Sequence, residues 1–348
     1  MKETLLKLTR SHLFWPCVTL ILLCMVNFHF NPGFFDIEIK DGHLYGSVID
    51  ILNRAAPLML IAMGMTLVIA TRGIDISVGA TVAIAGAVAA SLIGGSLVIK
   101  EGVQTYVSNV PMPLAFAAAL AVALLCGLWN GLLVAGAGMQ PIVATLILMV
   151  AGRGVAQLIT EGQIVTVYYE PFFFIGNGFI LGIPVSLYIV GAVLGTLLLL
   201  TKRTALGLFI ESVGINPVAS RFSGISARAL VFWVYAFCAL TAGIAALIIT
   251  SNVKSADANN AGLLLELDAI LAVALGGTSL AGGRFYLIGT LVGALIIQTL
   301  TYAIYSLGVP PEINMVVKAI VVFGVCVIQS PALRDLLLKH AFRTGGVA

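Results

Sequence analysis

Residues 49–80 read IDILNRAAPLMLIAMGMTLVIATRGIDISVGA. The stretch 49–71 is an apolar window long enough to cross a hydrocarbon core about 30 Å thick. It breaks at Arg72-Gly73-Ile74-Asp75, and a second apolar window opens at Ser77. The same pattern recurs along the chain. Windows of about 17–25 residues fall at 13–30, 49–71, 77–98, 113–135, 141–160, 185–201, 229–250, 285–307 and 315–330. A weaker one at 261–277 is interrupted by Glu266 and Asp268. The fold expected is an all-α polytopic membrane protein with about ten transmembrane helices, which puts both termini on one side.

Composition agrees. Of 348 residues, 60% are hydrophobic and 9% charged, against about 25% charged in a soluble domain. Only a bilayer can solvate such a chain. Lys2, Lys7 and Arg10 precede the run 13–30 as in a signal peptide, but the run is too long and no small-x-small cleavage site follows. It reads as an uncleaved first span. The expected organisation is a cytoplasmic N-terminus at 1–12, a transmembrane domain at 13–330 and a cytoplasmic tail at 331–348.

Charge asymmetry tests the count independently. With the N-terminus inside, the inner segments hold 12 of the 18 basic residues, and the outer segments hold only Lys40, Arg54, Lys100 and Lys254. Basic residues retained inside are the expected bias. No basic run suggests nucleic acid. The five cysteines all fall in apolar stretches without metal-ligand spacing and read as small core residues. The outer loop 161–184 carries Tyr168, Tyr169, Phe172, Phe173 and Phe174, a cluster suited to headgroup anchoring or to an external partner.

Two glycine-rich breaks stand out: ATRGIDISVGA at 70–80, with Gly73 and Gly79, and LGGTSLAGGRF at 275–285, with Gly276, Gly277, Gly282 and Gly283. Each follows an inward span and precedes an outward one. Each alone could be a tight turn or a close helix contact. As a pair, with DISVGATVAIAGA (75–87) loosely echoing GRFYLIGTLVGAL (283–295), they suggest broken or re-entrant segments in a weak internal repeat, a pointer to a transport pathway. Arg153, Glu266, Asp268 and Lys318 fall within apolar windows, with Asn130, Gln157 and Gln298. An ionised group at membrane depth costs at least about 2.5–3.5 kcal/mol and needs a partner. Glu266 is expected at the outer water boundary and Arg153 in a pair; Asp268 reads as either functional or half of a structural ion pair. The candidate pathway residues are Asn53, Asp75, Asn130, Arg153, Gln157, Asp268 and Gln298, with Asn130 and Gln157 foremost.

Catalytic signatures are missing. There is no Gly-Lys dipeptide and so no P-loop, no HExxH and no GxSxG. No catalytic residue, bound cofactor or metal is expected on this chain. The segment 202–228 is too polar to span and too patterned to be a free linker. Leu208, Ile210, Val213, Val218 and Phe222 could share one apolar face, leaving Glu211, Asn216 and Arg221 for polar contacts. Gly214 and Asn216-Pro217 would set a helix start, since Asn caps and Pro fits the first turn.

RGIDISVGA (72–80), VATLILMVAGRG (143–154), SVGINPVASRFSGIS (212–226) and LELDAILAVALGGTSLAGGRF (265–285) together resemble the permeases of ribose-type monosaccharide ABC importers. DILNRAAP (50–57), ILMVAGRGVAQLIT (147–160) and ADANNAG (256–262) look most like the galactofuranose-importing branch. The resemblance implies a bacterial inner-membrane subunit working with a second homologous permease (a sibling in that branch), an ATPase that carries ATP and Mg, and a periplasmic sugar-binding protein. It also implies a cytoplasmic coupling helix within 207–226, where Glu211, Gly214, Asn216, Pro217, Ala219 and Arg221 would meet the ATPase. Two positions depart from the pattern: Arg72 stands where the family has Gly, and Leu208 where it has Arg. The expected mechanism is alternating access driven by ATP. The rival is an ion-gradient-driven secondary transporter of a small polar solute, which would want an ionisable relay across the midplane.

Overall fold

The computed structural model describes residues 13–40, 42–100, 103–308 and 310–329. The expected cytoplasmic segments 1–12 and 331–348 lie outside the described residues. Each of the ten apolar windows holds a helix. Six are long and apolar enough to cross a membrane: α2 (Ser47–Ala70), α4 (Met112–Gly131, extended by a π turn to Gly136), α5 (Pro141–Ile159), α7 (Val185–Arg203), α10 (Ala227–Val253) and α12 (Leu287–Ser306). The other four are α1 (Phe14–Phe30), α3 (Val78–Ile93), α11 (Leu265–Leu275) and α13 (Pro311–Gln329). Three more helices lie in the connections: α6 (Glu170–Asn177), α8 (Leu206–Ile215) and α9 (Pro217–Phe222).

The connections gather at two ends. At one end the hairpin of β1 (Glu38–Lys40) and β2 (His43–Tyr45) meets the loop near Gly182, where Leu44 N donates to Gly182 O at 3.1 Å. There too Tyr168 N donates to Gly94 O at 3.0 Å, and Val167 N to Lys254 O at 2.9 Å. The window expected at 77–98 stops at Ile93, because residues 96–100 pair as a strand with 103–107 at this end. At the other end lie both glycine breaks and the polar segment 204–226.

Small residues decide the packing. α2 is buried without interruption from Ala55 to Ala70, and a Cβ at its Gly64 would lie 2.8 Å from Cys238 Cα of α10. A Cβ at Gly127 of α4 would sit 2.7 Å from Tyr235 O, again on α10. α11 and α12 touch backbone to backbone: a Cβ at Gly276 would lie 2.5 Å from Thr290 N, and one at Gly293 would overlap the carbonyl of Ala272. Such contacts bring dipoles and dispersion surfaces together where lipid supplies no hydrophobic drive. Cys126 and Cys238 are buried core residues as expected, but Cys17 is exposed on α1 and Cys24 partly so.

Candidate functional site

The first break is a climb back into the protein. α2 ends at Ala70, Arg72 adopts φ +64°, and Gly73 N returns to Val68 O at 2.9 Å. Tyr235 Oη then donates to Ile74 O at 3.4 Å. Tyr235 lies eight residues into α10, about 12 Å from its first residue, so α3 begins well inside the helix bundle. Asp75 is fully buried at that start. One of its oxygens, Oδ1, accepts from Ser77 N (2.9 Å), Ser77 Oγ (2.6 Å) and Asn130 Nδ2 (3.3 Å), while Asn130 Nδ2 also donates to Ser77 Oγ at 2.7 Å. Thr145 Oγ1 accepts from Ile76 N at 3.2 Å. Asp75 and Asn130, far apart in sequence, thus come together, but sealed from the surface. Asn130 ties Asp75 and Ser77 together at the break.

The chain descends from the opposite end to meet this one. After α10 it runs down through 254–264 until Gly262 backs onto Gly79, where either Cβ would overlap the other's carbonyl. Gly79 lies fourteen residues before Ile93 in α3, about 21 Å along the helix. Two helices therefore start side by side within the bundle and run apart, α3 over sixteen residues and α11 over eleven. Glu266 stands in the first turn of α11 and against Gly79 in the first turn of α3. It is 2% exposed, which corrects its expected place at the outer water boundary. Its Oε2 lies against Gly79 and is buried without a hydrogen-bond partner among the described residues. The 70–80 break and the 254–264 descent thus both lead into helices that start within the bundle, where freed backbone groups need protein or water beside them.

Arg153 serves that backbone. It sits six residues before the end of α5, and Nη1 donates to Ala261 O at 2.5 Å and to Ala258 O and Asn259 O at 3.3 Å each. The expected partner is therefore a turn of carbonyls, with Glu266 near enough to act on it electrostatically. One helical turn on, Gln157 Nε2 donates to Asn259 Oδ1 at 2.6 Å. Asp257 holds the turn by accepting from Asn259 N at 2.9 Å and Asn260 Nδ2 at 2.7 Å. Asn259 and Asn260 are exposed, Arg153 and Gln157 partly so. A patch of amides and one guanidinium therefore opens on the surface of the helix bundle beside the last two turns of α5.

The remaining candidates lie elsewhere. Asp268 Oδ2 pairs with Lys318 Nζ at 2.6 Å, joining α11 to α13 as a structural ion pair. Asn53 faces the outer end, where it accepts from Ser186 Oγ at 2.5 Å and donates to Gly176 O at 3.3 Å. Gln298 is half-buried on α12 and joins neither cluster.

At the end that holds both glycine breaks three segments converge. Gly283 N donates to Ala70 O at 2.9 Å, tying the second break to the first. Arg72 Nη2 donates to Ile215 O at 2.6 Å, and a Cβ at Gly214 would fall on Ala70 O and 2.5 Å from Gly283 N. The departure at Arg72 thus combines a left-handed backbone with a tie to α8. The segment is two helices where one was expected. Ile210 and Val213 of α8 pack inward, while Leu208, Val218 and Phe222 are 65%, 64% and 89% exposed, so the five do not share one face. Gly214 lies inside α8, and the cap belongs to Asn216, which accepts from Val218 N and Ala219 N at 3.0 Å each to start α9. Glu211 lies on α8; Pro217, Ala219 and Arg221 lie on α9.

The family described as branched-chain amino acid transport system / permease component matches residues 47–326. The chain belongs to this family. Among curated relatives the permease is 49% identical to a galactofuranose transporter permease protein of Escherichia coli K12, over 93% of this chain and 92% of that one. It is 41% identical to a fructose import permease protein of Bifidobacterium longum, over 95% and 91%. It is 37% identical to a ribose import permease protein of Escherichia coli K12, over 88% and 89%. No solved structure matches the permease.

Proposed function

We propose that this chain is the membrane-spanning subunit of an ATP-driven importer carrying a monosaccharide from periplasm to cytoplasm by alternating access, and that the sugar is galactofuranose. The identity to the galactofuranose permease supports the sugar. The observation that carries the mechanism is the polar patch of Arg153, Gln157, Asn259 and Asn260 on the bundle surface beside the last two turns of α5. Hydrocarbon leaves such groups without partners at a cost of several kcal/mol each. A second permease, enclosing water between the two patches, satisfies them and gives a neutral polyol its hydrogen bonds.

In this reading ten spans place both termini in the cytoplasm of a bacterial inner membrane, supported by the basic bias toward the end that holds the breaks. A periplasmic binding protein delivers sugar at the other end. Val218 and Phe222 on the capped helix α9 offer an ATPase an apolar docking face. Motion there reaches both breaks through Ile215–Arg72 and Ala70–Gly283. The test uses a cysteine-free background with single cysteines at Asn259 and Ala219. Asn259→Cys should react with a small impermeant thiol reagent from outside, at a rate that changes when ATP is trapped on the ATPase, and modification should block uptake. Ala219→Cys should react only after the membrane is opened. An Asn259→Cys protein that stays unreactive in every state would sink the pathway.

A further inference from the structure

A cavity of about 430 Å³ lies near the inner end between the last turn of α7, α8 and the start of α12. Leu198, Leu208, Phe285 and Ile288 give it apolar walls, and the charged side chains on its lining are Lys202 and Glu211. Neither has an ion pair or a hydrogen bond among the described residues. Two opposite charges share one apolar recess without meeting. Beside its mouth Leu199, Leu208 and Ile288 are 62%, 65% and 46% exposed, so the recess opens onto the surface that acyl chains cover. Lys202 is in the last turn of α7, at the level where a basic side chain reaches headgroups.

We propose that this cavity binds a zwitterionic phospholipid bearing a primary ammonium, its phosphate on Lys202, its ammonium on Glu211 and an acyl chain along the apolar wall. The half-buried carboxylate sets the selectivity. An anionic headgroup would meet Glu211 with like charge, and a quaternary choline offers it no N–H donor, whereas a primary ammonium supplies three. Glu211 and Gly214, the latter at the junction of both breaks, are neighbours one turn apart on α8, so an occupied cavity steadies the helix that reports to the pathway. The inference needs only the membrane placement of the chain and is independent of the sugar.

The test is native mass spectrometry of the full-length permease, released from nanodiscs of mixed phosphatidylethanolamine, phosphatidylglycerol and phosphatidylcholine. Wild type should retain a phosphatidylethanolamine adduct in about tenfold preference over the other two, as one well-placed charge-assisted hydrogen bond provides. Lys202→Gln should lose the adduct. Glu211→Gln should keep an adduct but lose the preference for ethanolamine over glycerol. Both side chains are at least partly exposed, and unchanged thermal unfolding in detergent will show that the variants fold. Retention indifferent to both substitutions overturns the proposal. So does full competition by millimolar glycerophosphoethanolamine, which would assign the site to a soluble aminophosphate. An adduct that appears only after residues 1–12 are deleted would give the cavity to the chain's own N-terminus.

Discussion

Replacing Gly214 by alanine adds one methyl group where three segments meet. Its Cβ would fall on the carbonyl oxygen of Ala70 and 2.5 Å from Gly283 N, both backbone atoms that no rotamer change can move aside. Overpacking of this kind costs about 1–3 kcal/mol. Separating Ala70 from Gly283 also weakens their 2.9 Å hydrogen bond, about 1 kcal/mol more. Alanine in place of glycine in a helix returns up to about 1 kcal/mol, leaving a net loss of about 1–3 kcal/mol. The control is Gly191→Ala in α7, where an added Cβ meets nothing within 4 Å. The assays are apparent unfolding temperature in detergent and ATP hydrolysis by the assembled complex in response to sugar-loaded binding protein. Gly214→Ala should melt several degrees below Gly191→Ala and lose most of the stimulation. If the two variants match in both assays, the junction is neither tight nor coupled, and the reasoning fails.

Arg153→Met leaves three carbonyls of the 258–261 turn without their donor, and the assembled transporter should lose about 2–4 kcal/mol in a denaturant titration. Lys318→Met strands the Asp268 carboxylate and should cost about 1–3 kcal/mol, while Lys318→Met with Asp268→Leu should recover most of the loss. A double variant no better than the single would show that the pair's charges matter separately. Asn216→Ala removes the cap of α9, worth about 1 kcal/mol; amide exchange across 217–222 should quicken while the spans stay protected.

Much of the architecture was legible from runs of residues. A span is a local fact, since 20 apolar residues need no partner to declare themselves, and all ten windows hold helices. The Asn216 cap was equally local. The junctions were not. Asp75 meets Asn130, Gly79 meets Gly262 and Ala70 meets Gly283, each pair separated by at least fifty residues, and a single sequence carries no sign of which glycine backs onto which. The short strands 96–100 and 103–107 were missed because their apolar start continues the preceding span. Glu266 was misplaced for a related reason. A carboxylate near a predicted loop looks wet, and only the descent of 254–264 toward Gly79 shows that this loop runs deep into the bundle. The segment 204–226 looked like one helix because five apolar residues fit one periodicity, although Asn216 breaks the backbone between them.

The backbone contact between α11 and α12 has a mechanical consequence. Gly276 lies against Gly289, and Gly293 against Ala272, with no side chains between to shear or re-pack. The two helices therefore act as one stiff rod. One end of α11 sits beside the junction of the two breaks, and Glu266 lies about 14 Å away near the other, nine residues along. A displacement of α12 at Gly289 and Gly293 therefore carries α11 and its Glu266 with it. Rotating that rod by 15° about its inner end would swing Glu266 by about 4 Å over this length, enough to withdraw it from Gly79 and open the space beneath the polar turn.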